Sequence, residues 1–98
     1  MTYRLRLQPE ARDDIRSAVR WYEDQKAGLG RDFLLDVEAS FAAIRDQPLR
    51  FPSVHPRFRR ALLHRFPYGL AFAVADDMVE VFACFHVRRD PDVWISRG

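Results

Sequence analysis

The stretch from Arg59 to Val87, RRALLHRFPYGLAFAVADDMVEVFACFHV, decides the fold of this chain. Apolar side chains recur in it at every second position, which is the period of a half-buried β-strand. Two interruptions, Pro67-Tyr68 and Asp76-Asp77, have the residue types of turns. The pattern therefore predicts a meander of three antiparallel strands, at Arg59–Phe66, Gly69–Ala75 and Met78–Val87.

The two faces of the last two predicted strands differ in the size of their side chains. The bulky face is expected to pack on helices, and it carries Leu70, Phe72, Val74, Val79, Val81, Ala83, Phe85 and Val87. The opposite face carries small residues such as Ala71 and Ala73, with His86 near its end. We therefore expect a shallow open groove on that second face.

Upstream of the meander, the sequence predicts a strand and two helices. Thr2–Leu7 alternates between apolar and arginine side chains, as a half-buried strand does. A helix starts at Pro9 and carries an apolar stripe at Ala11, Ile15, Ala18 and Tyr22. After Gly28 and Gly30 a second helix begins near Arg31, with its stripe at Phe33, Val37, Phe41 and Ile44.

Pro48 ends the second helix, and Pro48, Pro52 and Pro56 mark the next stretch as an ordered loop. The expected fold class is thus α+β with the order β-α-α-β-β-β. An N-terminal strand and an antiparallel helical hairpin precede the three-stranded antiparallel meander, and the helices pack on one sheet face. The length of 98 residues suits one domain, which spans residues 1–98.

The charge is distributed unevenly along the chain. The formal net charge is only +2, but no acidic residue occurs between Asp46 and Asp76. That stretch holds several cationic side chains: Arg50, His55, Arg57, Arg59, Arg60, His64 and Arg65. This local positive charge predicts an anionic partner.

Other features exclude whole classes of protein. Cys84 is the only cysteine, so no internal disulfide can form. The N-terminus lacks the apolar run of a signal peptide, and the longest uncharged run, residues 66–75, is too short for a membrane helix. We therefore expect a soluble cytoplasmic protein. No cofactor motif and no zinc-ligand spacing is present, so neither a cofactor nor a metal is expected.

The candidate binding residues are arginines and one tyrosine: Arg59, Arg60, Arg65, Tyr68, Arg88 and Arg89. Guanidinium groups bind phosphate or carboxylate through paired hydrogen bonds, and an aromatic ring beside them can stack on a base. A structural interpretation stays open, in which the arginines are a solvated sheet edge and Tyr68 covers the core. Because a register slip of one residue exchanges Arg59 and Arg60, the sequence leaves open which of them faces the groove.

His86 is the candidate for proton transfer. It stands close in sequence to Arg88 and Arg89, which could stabilise negative charge while the imidazole gives a proton to a leaving oxygen. The alternative is a histidine that only ends a strand. Trp94 is expected to anchor the C-terminal tail on the sheet or on the helices.

Several short segments have a familiar order and spacing: residues 11–15, 21–22, 33, 48, 50–52, 60–62, 66–68, 72, 74 and 85–94. Together they resemble the RelE/ParE superfamily of type II toxin–antitoxin toxins over nearly the whole chain. The resemblance implies a toxin that is held inactive by a cognate antitoxin, whose C-terminal segment wraps the helices and the sheet. RelE-type members cleave mRNA in the ribosomal A site, whereas ParE-type members poison DNA gyrase.

Two features make the ParE branch the closer match. Gly69 stands where nuclease members tend to carry arginine, and the ending from Arg88 to Pro91 resembles ParE-like plasmid stabilisation proteins. The expected function is a ParE-like toxin that inhibits DNA gyrase by binding, with the six candidate binding residues contacting the antitoxin or the target.

Two alternatives remain open. The first is a ribosome-dependent mRNA endoribonuclease of the RelE type, with His86, Arg60, Arg65 and Arg88 as the catalytic set. The second is a non-catalytic nucleic-acid-binding module that uses the same arginines. Only the first alternative makes the chain an enzyme, and none of the three involves a membrane.

Overall fold

The computed structural model describes residues 2–97 and contains one five-stranded sheet with a helical hairpin on one face. The strands are β1 (Arg4–Leu7), β2 (Ser53–His55), β3 (Phe58–Leu62), β4 (Tyr68–Ala75) and β5 (Met78–His86). The helices are α1 (Pro9–Gln25), α2 (Leu29–Asp46) and the short α3 (Asp92–Ile95), and a 3-10 turn spans Pro48–Arg50.

The strands lie in the order β1-β5-β4-β3-β2. β1 runs parallel to β5, and the remaining neighbours are antiparallel. The predicted α+β fold, with a helical hairpin on one face of an antiparallel meander, is confirmed. Three short elements were missed. The 3-10 turn and α3 were not predicted, and Ser53–His55 was expected to be loop but pairs with β3 as a short edge strand. Pro52 and Pro56 flank it and keep it to three residues, because proline cannot donate to a sheet ladder.

β3 ends at Leu62, earlier than the sequence pattern predicts, because a side chain takes over the next backbone donors. The carboxylate of Asp36, on α2, accepts hydrogen bonds from the backbone N–H of His64 at 3.2 Å and of Arg65 at 2.8 Å. Asp36 is buried, so this loop is tied firmly to the helical hairpin. Tyr68, which the sequence assigned to a turn, is the first residue of β4.

The two long helices approach closely where Gly30 faces α1. A Cβ atom at Gly30 would lie 2.7 Å from the Val19 carbonyl oxygen, so only glycine fits there. Gly28 has a left-handed φ of 91°, which turns the chain between the helices. The Glu23 carboxylate accepts hydrogen bonds from the N–H groups of Gly28 and Gly30. With these donors satisfied, α2 begins at Leu29, slightly earlier than expected.

A β-bulge in β5 changes which side chains face the helices. Ala71 pairs with Ala83 and Phe72 pairs with Val81, so Phe82 is an extra residue without its own partner on β4. An inserted residue moves all later side chains of a strand to the opposite face. Val79 and Val81 accordingly pack with the helices, as predicted, whereas beyond the bulge Cys84 takes the helix side.

The predicted open groove is therefore wrong. Ala71 and Ala83 are fully buried, in a second core with Phe58, Phe85 and Trp94 on the sheet face away from the hairpin. Ala83 and Phe85 were expected to pack on the helices, and the bulge turns them away. His86 was expected in that groove, but it lies on the helix side and lines a cavity beside α1.

α3 covers this second face. The Trp94 indole stacks on Phe85 with ring centroids 4.9 Å apart and meets Phe58 edge-on at 5.6 Å. The expectation that Trp94 anchors the C-terminal tail is confirmed, and the surface is the sheet. The five residues between β5 and α3 therefore lead the chain back over the sheet.

Candidate functional site

A cleft of about 560 Å³ opens between α1 and the end of β5. α1 supplies one wall, and the ends of β4 and β5 supply the other. Because β4 begins beside the end of the antiparallel β5, the sheet makes Tyr68 and His86 cross-strand neighbours. The residues that line the cleft are Asp14, Ser17, Ala18, Trp21, Tyr22, Tyr68, Cys84, His86 and Arg89.

His86 is half-buried in the cleft and is fixed by two contacts. Its ring meets the Tyr68 ring edge-on, with centroids 5.2 Å apart. Its Nδ1 accepts a hydrogen bond from the backbone N–H of Arg88 at 3.1 Å. In the neutral imidazole the proton must then sit on Nε2, which remains as a donor for a bound molecule.

The two tyrosines and the cysteine of the cleft are neutral near pH 7. Burial raises the pKa of Tyr68. The nearby Tyr22 and Cys84 raise it further, and the Arg89 guanidinium partly offsets the rise. Burial also raises the pKa of Tyr22. The pKa of the Cys84 thiol rises to about 12, because the thiol is buried and faces the Asp14 carboxylate. Cys84 is therefore a protonated packing residue rather than a nucleophile.

Asp14 lines the cleft and forms an ion pair with Arg97, which lies outside the cleft lining. Arg97 Nη1 donates to Asp14 Oδ2 at 2.6 Å and Nη2 donates to Oδ1 at 3.3 Å. The same Asp14 carboxylate accepts the backbone N–H of Cys84, and Arg97 also donates to the Phe82 carbonyl. The hydrogen bond to Asp14 raises the pKa of Arg97 further. Sequence reasoning missed this pair, because the partners are 83 positions apart.

The arginines of β3 and of the loop that follows it have different neighbours and do not form one cluster. Arg59 points to the helix side and donates to the carbonyl oxygens of Leu49 and Phe51. Arg60 follows it on the opposite face of the strand, and its Nε is buried without a hydrogen-bond partner among residues 2–97. The question of register is thereby settled: Arg59 is tied to the backbone before β2, and Arg60 stands beside Ala71 of β4.

Arg65 stands apart from both, in the loop before β4. It lies 3.7 Å from Asp32 of α2, and its guanidinium group lies over the Phe66 ring, 5.7 Å from the ring centroid. None of these three arginines lines the cleft that holds His86.

Arg88 and Arg89 follow β5 directly and are both exposed. Arg89 lines the cleft, whereas Arg88 contributes its backbone N–H to His86. Within residues 2–97, neither guanidinium group forms an ion pair. Of the residues singled out from the sequence, the cleft therefore combines His86, Tyr68 and Arg89 and leaves Arg59, Arg60 and Arg65 outside.

A second cavity of about 680 Å³ lies between α1 and α2 on the outer side of the hairpin. Its base is apolar and includes Ile15 and Val37. Arg12, Arg16 and Arg20 form a row along one wall, one helical turn apart. Carboxylates balance the charge of this row, because the same cavity is also lined by Glu23, Asp24 and Glu38.

The described residues offer no other recognisable centre. Residues 2–97 hold no cluster of three or more His, Cys, Asp or Glu side chains that could bind a metal ion. In the same range, none of the helices combines the length and hydropathy needed to cross a membrane.

Solved structures share this fold, among them two from toxin–antitoxin systems. The chromosomal ParDE toxin–antitoxin system of P. aeruginosa superimposes with a TM-score of 0.73 at 16% identity and covers 87% of this chain and 96% of that one. The RelBE2 toxin–antitoxin complex of Mycobacterium tuberculosis superimposes with a TM-score of 0.62 at 21% identity and covers 88% and 99%. At these identities the likeness concerns the fold alone.

Sequence comparison shows which proteins are related to this chain. Toxin ParE2 of Mycobacterium tuberculosis, in strains CDC 1551 / Oshkosh and ATCC 25618 / H37Rv, is 28% identical over 93 residues, which cover 94% of this chain and 89% of the relative. The family model for the ParE toxin of the type II toxin–antitoxin system parDE matches residues 5–91. Because that match spans most of the chain and includes both long helices, this chain belongs to the ParE toxin family within the RelE/ParE superfamily.

Proposed function

We propose that this chain is a cytoplasmic toxin that a cognate antitoxin neutralises and that acts by binding DNA gyrase. The observation that carries the proposal is the match to the ParE toxin family over residues 5–91. The structural relatives are parts of toxin–antitoxin systems, which supports the antitoxin as a partner. A toxin that acts by binding needs no catalytic residues. This agrees with the position of His86, whose cleft includes neither Arg60 nor Arg65.

The exposed arginines support an acidic partner. Arg88 and Arg89 lie just beyond β5 and form no ion pair among the described residues, so their charges are available. Arg59, Arg60, Arg65 and Tyr68 complete the proposed contact set for antitoxin or target. Charge pairs between exposed groups are screened by salt, so binding should weaken as ionic strength rises.

The proposal is tested by inducing the chain in cells that lack the antitoxin. DNA supercoiling and a reporter of the DNA-damage response are followed together with the integrity of mRNA. Gyrase inhibition predicts DNA damage with intact mRNA, and co-expression of the antitoxin should restore growth. Well-folded protein that leaves growth unchanged contradicts the toxin function.

A second candidate function, a ribosome-dependent endoribonuclease, is favoured by the surroundings of His86. The Arg88 contact uses Nδ1 and leaves Nε2 for a substrate, and Arg89 lines the same cleft, where its guanidinium would stabilise phosphate charge. This function predicts mRNA cuts at codon spacing that the His86→Ala variant abolishes. Intact mRNA during growth arrest rejects it and leaves the gyrase proposal standing.

A further inference from the structure

The second half of β5 is a free edge of the sheet. β1 pairs only with Met78–Val81, and the last bond on that side runs from the Gln8 N–H to the Val81 carbonyl. α1 begins at Pro9, so the chain leaves the sheet plane at this point. From Phe82 to His86, β5 consequently has a strand neighbour on its β4 side and none on its other side.

The bulge at Phe82 determines which backbone groups this edge presents. Before the bulge, Asp77 and Val81 direct their carbonyl groups toward β1. After it, the even-numbered residues face outward, because the Phe82 carbonyl accepts from Arg97 and the Cys84 N–H donates to Asp14. Backbone groups of a strand alternate in direction, so the Cys84 carbonyl and the His86 N–H also point to this edge.

The Asp14–Arg97 pair covers only the first part of the edge. It occupies the Phe82 carbonyl and the Cys84 N–H, and thereby stops uncontrolled strand pairing there. The next outward groups, the Cys84 carbonyl and the His86 N–H, lie where the cleft opens between β5 and α1. A single extended residue can donate to that carbonyl and accept from that N–H, in the hydrogen-bond pattern of a parallel strand.

The walls of the cleft indicate the chemistry of the segment that would enter. Trp21 is 56% exposed although it is a large aromatic side chain, and its ring meets Tyr22 edge-on. With Tyr68 these rings form an apolar wall. The charge that remains available in the cleft is the Arg89 guanidinium, because Asp14 is already neutralised by Arg97.

We propose that an extended, acidic segment of the cognate antitoxin adds to the free edge of β5, hydrogen-bonding to the Cys84 carbonyl and the His86 N–H. An apolar side chain of that segment packs on Trp21, Tyr22 and Tyr68, and a neighbouring carboxylate pairs with Arg89. The inference rests on the proposed function in assuming an antitoxin, and it goes further by assigning a strand edge and a hydrogen-bond pattern to the contact.

The first experiment follows individual backbone amides by NMR hydrogen exchange, with and without the purified antitoxin that restores growth in the induction experiment above. Strand addition predicts that exchange at His86 slows at least about tenfold, because its N–H gains an acceptor. Cys84 is the internal reference, since its N–H is already bonded to Asp14 in the free chain. Binding without a change at His86 overturns the inference and leaves the proposed function intact.

The second experiment fills the cleft. Ser17 lines the cleft on α1, so Ser17→Tyr should raise the Kd for the antitoxin at least about tenfold. Asp13→Tyr is the matched control, because Asp13 is exposed on the same helix and lines none of the cavities described above. The thermal unfolding of both variants shows that they fold alike.

The outcomes separate the two proposals. Equal affinity of Ser17→Tyr and Asp13→Tyr overturns the edge site alone, whereas a wild-type chain that binds no antitoxin overturns both proposals. Protection of the His86 amide by single-stranded RNA, and not by the antitoxin, also contradicts the inference, because it assigns the cleft to a nucleic acid.

Discussion

At the scale of single residues, the least expected feature is the carboxylate of Asp14. It joins three parts of the chain, because it accepts hydrogen bonds from Cys84 of β5 and from Arg97 beyond α3 while standing on α1. Both side chains of the ion pair are about four-fifths buried, with relative exposures of 22% and 18%. Charged hydrogen bonds with this degree of burial contribute more than exposed pairs do.

We therefore predict that Arg97→Ala lowers the free energy of unfolding by about 2 kcal/mol, because it leaves the Asp14 carboxylate with a mostly buried charge and without the two donors of Arg97. The matched control is Arg4→Ala, which breaks an exposed pair with Asp77 and should cost no more than about 0.5 kcal/mol. Urea denaturation of the three proteins measures both values. Equal costs for the two variants would contradict a structural role for the Asp14–Arg97 pair.

At the scale of elements, the close approach of the two long helices depends on a missing side chain. The space at Gly30 is limited by the Val19 backbone carbonyl, which cannot move aside without shifting α1. At Gly28, by contrast, a Cβ atom would meet nothing within 4 Å, and only the left-handed φ of 91° favours glycine. Glycine is thus required at position 30 by helix packing and favoured at position 28 by the backbone conformation.

Gly30→Ala should consequently destabilise the fold by about 2 kcal/mol, because the helices must separate to admit a methyl group. Gly28→Ala should cost about 1 kcal/mol, since only backbone strain is added. The comparison is made by chemical denaturation, with the far-UV circular dichroism of each variant as a check on helix content. A Gly30→Ala variant that is as stable as the wild type would show that the helices separate at no cost.

The two halves of β5 differ in how well the sequence predicts them. Glu80 interrupts the apolar residues from Met78 to Val81, so alternation assigns the first half of β5 to the correct faces. From Val81 to Phe85 the chain is apolar at every position, and either assignment of faces fits the pattern. The bulge falls in this run, so the position of His86 could not be predicted from alternation.

The candidate site was accessible to sequence reasoning only in part. His86, Tyr68 and Arg89 were recognised from their residue types, and the cleft contains all three. Asp14, Trp21 and Arg97 complete the site through contacts between distant parts of the chain, which no local pattern encodes. The arginines of β3 share a sequence cluster but not a surface, because successive residues of a strand point to opposite faces.

At the scale of the whole molecule, each face of the sheet contributes to a buried core. α1 and α2 cover one face, and α3 covers part of the other through Trp94. Neutral groups that titrate at high pH lie inside this structure, on the hairpin side, and they link its stability to pH. Cys84 is the most strongly affected, since its pKa of about 12 in the folded chain compares with an ordinary value of 9.0.

We predict that the free energy of unfolding falls as the pH rises above about 9. The folded state keeps the thiol protonated while the unfolded state loses the proton, so the stabilisation is complete below pH 9.0 and is lost as the pH approaches about 12. The raised pKa values of Tyr22 and Tyr68 act in the same direction. Each such group contributes at most about 1.4 kcal/mol per pH unit.

The measurement is the free energy of unfolding in urea at intervals between about pH 8 and pH 11 for the wild type and for Cys84→Ala. The variant should have a shallower slope, whatever its stability at neutral pH. Parallel slopes would mean that the thiol ionises as easily in the folded chain as in the unfolded one.

The additional residue at Phe82 also affects how relatives of this chain should be aligned. Removing one codon from this strand would restore simple alternation, and His86 would then turn to the side of the sheet that Trp94 occupies. A homologue that lacks the bulge can therefore carry a histidine at the equivalent alignment column and hold it on the other side of the protein. Alignments that place gaps outside strands would treat these two histidines as equivalent, although only one of them stands beside α1.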